Sequence, residues 1–298
     1  MKMTKKQFDV LAYLALAKST PSQRVIAKAT GISVGSVNKI LSDFSDGGLV
    51  ANGYITIEGL QVLEPYKVKR AVFLAAGFGS RLIPVTLSTP KPLVRVKGQR
   101  IIDTLIDAVI KAGIEDIYIV RGYLGDQFDT LLKKYPNIKF IDNPSYNETN
   151  NISSAYLARH LLAGSYVFEA DLLLYNPALI TKYQYCTNYL GVPTERTDDW
   201  CFITDGAGYI KKMSIGGTNC HHMYGLSYWT AEDGALLAEC IEKVYDNVPG
   251  GKERYWDEVA LGYFIDKFKI AVRECTFDDI IEIDTFTELK KLDSSYAM

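Results

Sequence analysis

Apolar positions recur first at helical spacing and later in short, strand-like runs. Residues 4–18, "TKKQFDVLAYLALAK", space their apolar side chains for one face of a helix. Thr20-Pro21-Ser22 then introduces a second short helix, "QRVIAKAT", which stops at Gly31. "SVGSVNKILSDF" follows, with Ser33 as its N-cap and Asp46-Gly47-Gly48 as its stop. In "LVANGYITIEGLQVL" two apolar runs flank Asn52-Gly53, a strong hairpin signal. From residue 70 the period changes. Strands are expected at "RAVFLAA", "DIYIVRG", "IKFIDN" and "SYVFEAD", with helices between them at "IIDTLIDAVIKAG", "GDQFDTLLKKY" and "ISSAYLARHLL". This alternation predicts an α/β fold, Rossmann-like and doubly wound around a mostly parallel sheet, with its ligand at the carboxyl ends of the strands. Past residue 185, closely spaced strands at "WCFITD", "YIKKMSI" and "YGLSYW" predict an antiparallel subregion. Helices at "AEDGALLAECIEKVYD" and "WDEVALGYFID" follow. Two domains are expected, residues 1–66 and 67–298, with "EPYKVKR" as linker.

Three helices and a hairpin make the winged helix-turn-helix pattern, and "IAKATGISVGSVNKIL" resembles the core of bacterial winged-helix regulators. The resemblance implies that Ser33, Gly35, Ser36, Asn38 and Lys39 face a DNA major groove. Lys39 is the single cation of that helix, with Asp43 and Asp46 nearby, whereas DNA affinity rests largely on neutralising phosphates. DNA binding and a docking, dimerisation or regulatory role stand here as equal readings.

Composition narrows the class. Apolar residues make up 48% and charged residues 23% of the 298, the balance of a soluble globular protein. No apolar run approaches the ~20 residues that span a bilayer, and "MKMTKKQFDV" carries charge with no apolar signal core behind it. A cytoplasmic protein with no membrane partner is expected. Five scattered cysteines without a C-x-x-C pair read as reduced thiols. Cys220-His221-His222 lacks a second ligand cluster and reads as structural rather than metal-binding. The net charge of −2 hides an asymmetry: residues 1–70 hold ten Lys and Arg against five Asp and Glu, a net +5, which leaves −7 for residues 71–298.

The densest chemistry lies in "LAAGFGSRLIPVTLSTPKPL", residues 74–93. Gly77 and Gly79 permit positive φ and a close approach of main-chain N–H groups to an anion. A dinucleotide fingerprint would need a small residue where Leu82 stands, and no Gly-Lys-Ser/Thr completes a Walker loop. Arg81 and Lys91, the latter between Pro90 and Pro92, instead frame the glycines with two cations, as a triphosphate requires. Asp171 ends an apolar strand at the edge where ligands bind, and one or two carboxylates plus phosphates are what Mg²⁺ prefers.

The stretch resembles the signature of nucleotide-sugar and nucleotide-alcohol pyrophosphorylases. Residues 71–293 are similar to bacterial CTP:phosphocholine cytidylyltransferases through "VRGYLGDQFD", "YNETNNISSAYLAR", "SYVFEADLLLY", "DDWCFI", "YGLSYW", "RYWDEV" and "IIEIDTFTELKKL". The resemblance implies a nucleotidyltransferase domain in which Ala75, Ala76, Gly77 and Gly79 line the nucleotide, and Arg81 and Lys91 hold the triphosphate. It further implies that Gly122, Tyr123 and Ser153 bound the cytosine, Asp171 and Asp257 bind Mg²⁺, and Trp200, Tyr255 and Trp256 surround choline. Aromatic faces suit a quaternary ammonium, which has no hydrogen-bond donor, and Glu195, Asp199 and Glu258 would add charge attraction. Tyr228 and Trp229 read as core or pocket wall. The reaction implied is Mg²⁺-assisted attack of phosphocholine on the α-phosphate of CTP, giving CDP-choline and pyrophosphate. Such a site also accepts a primary ammonium, so 2-aminoethylphosphonate, or another phospho-alcohol or sugar phosphate, is an alternative acceptor. A DNA-binding regulator with a ligand-sensing nucleotidyltransferase-like domain is the rival class.

Overall fold

A computed structural model describes residues 3–297, which divide into two compact units. The first runs to Lys67 and takes in Tyr183–Tyr185. Its helices are α1 (Lys5–Leu16), α2 (Gln23–Thr30) and α3 (Val34–Asp46). Each begins where a hydroxyl can satisfy an orphan N–H: Thr4, Ser22 and Ser33 accept from Gln7, Val25 and Ser36. Gly31, at φ +68°, ends α2 in the left-handed conformation. Phe8, Leu11 and Leu14 of α1 pack with Ile26, Val37, Ile40 and Phe44. The expected hairpin is short, β1 (Val50–Ala51) with β2 (Tyr54–Ile55). Its second apolar run turns helical instead, because Thr56 caps α4 (Ile57–Leu63). On α3, Ser33, Gly35, Asn38 and Lys39 are exposed and Ser36 is half-buried.

The second unit is built on a seven-stranded sheet ordered β12-β10-β11-β8-β3-β6-β7. At its centre, β3 (Arg70–Ala75) lies parallel to both β6 (Asp116–Arg121) and β8 (Ser165–Glu169), and β6 lies parallel to β7 (Lys139–Asp142). Residues of β3 alternate between two cores. Ala71, Phe73 and Ala75 meet Ile102, Leu105 and Val109 of α5 (Ile101–Lys111), while Val72 and Leu74 meet the other face. That face is covered by α6 (Ile152–Ala158) and α7 (Ala231–Asn247). A strand buried on both sides has no polar alternation, which is why "RAVFLA" reads as one apolar run.

The antiparallel region is built from β10 (Asn188–Thr204) and β11 (Ile210–Trp229), joined by the turn Asp205–Gly208. "YIKKMSI" and "YGLSYW" both fall within β11, which doubles back: Cys201 and Phe202 of "WCFITD" face Ser214 and Met213 on one side and His222 and His221 on the other. Gly216, at φ +71°, lies where it bends. β12 (Ala271–Glu274) lies parallel to β10 on the outer edge. Of the expected helices, "GDQFDTLLKKY" is a run of 3₁₀ turns, Gly125–Lys133, and "WDEVALGYFID" holds a π-helical turn, Val259–Tyr263. Two small pairings complete the unit: β4 (Arg95–Val96) with β5 (Gln99–Arg100), and β9 (Leu172–Leu174) with β13 (Ile280–Glu282). The last helix is α8 (Phe286–Leu292).

Gly234 tests how tightly α7 is seated. A Cβ there would lie 2.5 Å from the Leu162 carbonyl oxygen and 2.6 Å from Ala163 Cα. Helix propensity alone favours Gly→Ala by about 0.5–1 kcal/mol, but forcing a methyl into backbone costs typically ~1–3 kcal/mol. Gly234→Ala is therefore expected to destabilise the protein, seen as a lower urea midpoint; a raised midpoint would mean that α7 can lift off.

Candidate active site

The carboxyl ends of β3 and β8 open into a cavity of about 630 Å³, a volume ordinary for a small-ligand site. One wall is the loop after β3. Gly79 takes φ +61°, and a Cβ on it would meet Lys91 Cβ at 2.8 Å, so this position needs glycine twice over. Gly77 differs from expectation: its φ is not positive, and a Cβ would project into open space. Leu82, fully buried among Val94, Ile101, Leu173, Ile283 and Leu289, anchors the loop from below. Ala75, Ala76, Gly77, Gly79, Arg81, Lys91 and Ser153 all line the cavity.

Gly122 and Tyr123 do not line it. They brace the loop from behind: Tyr123 donates its N–H to the Ala76 carbonyl at 3.0 Å and its hydroxyl to the Thr86 carbonyl at 2.9 Å. Gly122 leaves room for the Tyr146 ring, which a Cβ would meet at 2.7 Å. The wall beside Ser153 is formed by Asn143, Tyr146 and Ser154, with the Asn143 amide donating to both serine hydroxyls.

Across the cavity lie six carboxylates, Glu169, Asp171, Asp199, Asp257, Glu282 and Asp284, facing two cations, Arg81 and Lys91. The Lys91 ammonium donates to Asp171 Oδ2 at 2.8 Å and Asp284 Oδ1 at 2.9 Å. Arg81 reaches the same Asp284 oxygen at 2.8 Å. Burial works against the Lys91 charge, yet the two aspartates outweigh it and hold the ammonium above the ordinary lysine range. The pairing of β13 with β9 explains how residues so far apart in sequence meet. Glu282 stands opposite Leu172, and the Ile283 N–H donates to the Asp171 carbonyl, which delivers Glu282 and Asp284 beside Asp171. Thr285 and Glu288 then form a capping box that starts α8 and fixes Asp284 at its entry.

Glu169, Asp171 and Glu282 bring carboxylate oxygens within 4.8 Å of one another, the one such group among the described residues. Asp171 Oδ1 is buried and has no hydrogen-bond partner. Burial first, then the neighbouring carboxylates, push Glu169 and Glu282 well above the usual carboxylate range. An unpartnered oxygen among crowded oxygen ligands fits a hard divalent cation. Asp257 lines the same cavity but lies outside this group, and after burial its charge is the next cause that raises Glu169. Buried, Asp257 itself accepts from the Tyr189 hydroxyl at 2.8 Å, and desolvation raises it to about 7. Glu169 is the group the sequence reading missed on β8, and Glu282 and Asp284 the pair it missed at β13. The signal was "EID" just before the Thr285–Glu288 cap.

The aromatic wall holds two of the three expected rings. Trp200 and Tyr255 line the cavity with centroids 6.0 Å apart, edge to face. An extra residue in β10, where the register slips between Thr197 and Trp200, turns Asp199 and Trp200 inward. Trp256 is corrected: it is fully buried, its ring against Tyr189 and Trp229, because consecutive residues of the turn point to opposite sides. Tyr228 and Trp229 are core. Glu195 lies off the cavity, and Glu258 accepts from the Tyr255 N–H.

Residues 70–176 match the nucleotidyl transferase family and residues 2–52 the MarR family. The chain is 35% identical over 230 residues to a 2-aminoethylphosphonate cytidylyltransferase of Lancefieldella rimae, covering 76% of this chain and 93% of that one. It is 31% identical over 219 residues to a choline-phosphate cytidylyltransferase of Haemophilus influenzae, covering 73% and 93%. Among solved structures, the CTP:phosphocholine cytidylyltransferase from Streptococcus pneumoniae superposes with a TM-score of 0.71 at 31% identity, covering 77% of this chain and 99% of that one. These likenesses indicate an enzyme. Among the described residues no helix is long and apolar enough to cross a membrane.

Asp257 makes stability depend on pH. Raised from 3.8 to about 7, it holds its proton in the folded state across that window. Folding then takes up a proton, so stability is highest at the acid end and falls as pH rises through about 7. In metal-free buffer, Asp257→Asn is expected to flatten the decline in melting temperature between pH 5 and 8. An unchanged slope would place the titration elsewhere.

Proposed function

The chain belongs to the cytidylyltransferases of the nucleotidyl transferase family, and from that premise we propose that it joins CTP to phosphocholine, releasing CDP-choline and pyrophosphate. The observation that carries the acceptor is the Trp200–Tyr255 pair with Asp199 beside it, two π faces and a carboxylate on one wall of the cavity. A quaternary ammonium between them gains about 2 kcal/mol or more per ring when desolvated.

The mechanism follows from charge. A phosphomonoester with second pKa ≈ 6 is already largely ionised near neutrality, so its oxygen attacks the α-phosphorus without a general base. Having three histidines and none in the cavity is consistent with that economy. The loop's main chain and Arg81 hold the triphosphate, and Lys91 neutralises charge as the bond to pyrophosphate breaks. Asp171, Glu282, Glu169 and Asp284 would hold Mg²⁺, which supplies Lewis acidity and fixes the phosphate oxygens. Gly225 has its own part: a Cβ there would lie 2.4 Å from Glu169 Oε2, so its absence lets that carboxylate stand in the cavity.

A second acceptor is favoured by a specific observation. With Trp256 buried, the wall offers two rings rather than three, while Asp199 offers a hydrogen-bond acceptor to a primary ammonium. 2-Aminoethylphosphonate has that ammonium, and one relative is named for it. For the first unit, the exposed start of α3 supports DNA reading, and the lone Lys39 there implies a shallow salt dependence.

Pyrophosphate release with CTP and Mg²⁺ tests the assignment, comparing phosphocholine, 2-aminoethylphosphonate, phosphoethanolamine and a sugar 1-phosphate. Phosphocholine is expected to give the highest kcat/KM; a preference for the aminophosphonate would reassign the acceptor and keep the chemistry. Trp200→Ala should raise KM for phosphocholine by roughly 30-fold, the equivalent of about 2 kcal/mol, with KM for CTP unmoved. Lys91→Ala should lower kcat by roughly 10²–10³-fold with circular dichroism unchanged. Near-normal turnover would remove Lys91 from the reaction.

A further inference from the structure

We propose that Lys91, in the nucleotide-free protein, stands in for the divalent cation and keeps it out, so that metal is admitted only together with a triphosphate. The inference rests on the reading that Asp171, Glu169, Glu282 and Asp284 hold Mg²⁺. Two of the oxygens that reading assigns to the metal, Asp171 Oδ2 and Asp284 Oδ1, already accept from the Lys91 ammonium at 2.8 and 2.9 Å. Arg81 adds a second cation to that Asp284 oxygen. Asp171 Oδ1 is left without a partner and Glu169 and Glu282 keep their oxygens, but with Asp171 Oδ2 and Asp284 Oδ1 taken the site is short of ligands for a cation that takes six or more. An incoming ion would also meet a positive charge a few ångströms away in a half-enclosed cavity, where repulsion is poorly screened.

The lysine cannot leave by moving its backbone. Pro90 and Pro92 flank it, and its Cβ is packed so close to Gly79 that a Cβ there would lie only 2.8 Å away. Its head can only pivot on this stem, within the cavity that it lines. A triphosphate on the Gly77–Gly79 loop offers the ammonium more negative charge than two aspartates, one of them, Asp284, already shared with Arg81. Once the ammonium turns to phosphate, Asp171 Oδ2 is freed and Asp284 Oδ1 keeps only Arg81. Nucleotide and metal are then linked through one side chain, and by reciprocity each raises the affinity for the other.

The test uses the full chain, Mn²⁺ as probe and no nucleotide, with binding followed by electron paramagnetic resonance. Lys91→Met, which removes the charge and keeps the stem, is expected to bind Mn²⁺ at least tenfold more tightly than wild type. Lys91→Arg should stay as weak as wild type, and Asp171→Asn should erase the gain when added to Lys91→Met. If Lys91→Met fails to fold by circular dichroism, Lys91→Gln carries the comparison. Water-proton relaxation enhancement of wild type with Mn²⁺ and CTP separates the failures, because it rises only when the ion is held on protein. Enhancement with CTP but equal Mn²⁺ affinity in wild type and Lys91→Met would overturn the stand-in role and leave the metal site standing. No enhancement in any protein would overturn both.

Discussion

The ion pair between Lys91 and its two aspartates is the constraint on which the site depends. It joins the loop after β3, the end of β8 and the end of β13, three segments far apart in the sequence. A half-enclosed cluster of carboxylates is costly unless compensated, and removing one partner of a buried pair commonly costs ~3–5 kcal/mol. The sheet brings Asp171 to its edge, the β9–β13 pairing brings Asp284, and the prolines and Gly79 deliver the lysine between them. Each of these local features makes sense once the charges must meet.

What could be read from residues alone followed the chain's local grammar. β3 and β8 announce themselves because a strand buried on both faces has to be apolar throughout. Ser22, Ser33 and Thr4 mark helix starts because capping is a contact within one turn. Arg81, Lys91 and Asp171 were legible for similar reasons, since they lie on punctuated loops or at the end of an apolar run.

The misses share one cause, which is that they depend on contacts across the fold. Glu282 and Asp284 enter the site through a strand pairing with residues more than a hundred positions earlier. Trp256 and Tyr255 are neighbours in sequence, yet one faces the core and the other the cavity, because the turn between Tyr255 and the π-helical segment rotates them apart. Gly122 and Tyr123 carry out their work one layer behind the nucleotide. Gly217 leaves space for the Cys201 and Cys220 sulfurs, a contact that only the folded β10–β11 region creates.

The bulge at Thr197–Trp200 carries a different kind of consequence. On the proposed reading the triphosphate would be held at the end of the parallel core, where almost every side chain is buried, while the acceptor wall would hang on an irregularity in β10 and on a turn. The two halves of the reaction therefore tolerate change unequally. A residue inserted or lost in β10 would re-aim Trp200 without moving Lys91, so one catalytic frame can be refitted to a new amine while its phosphate machinery stays in place.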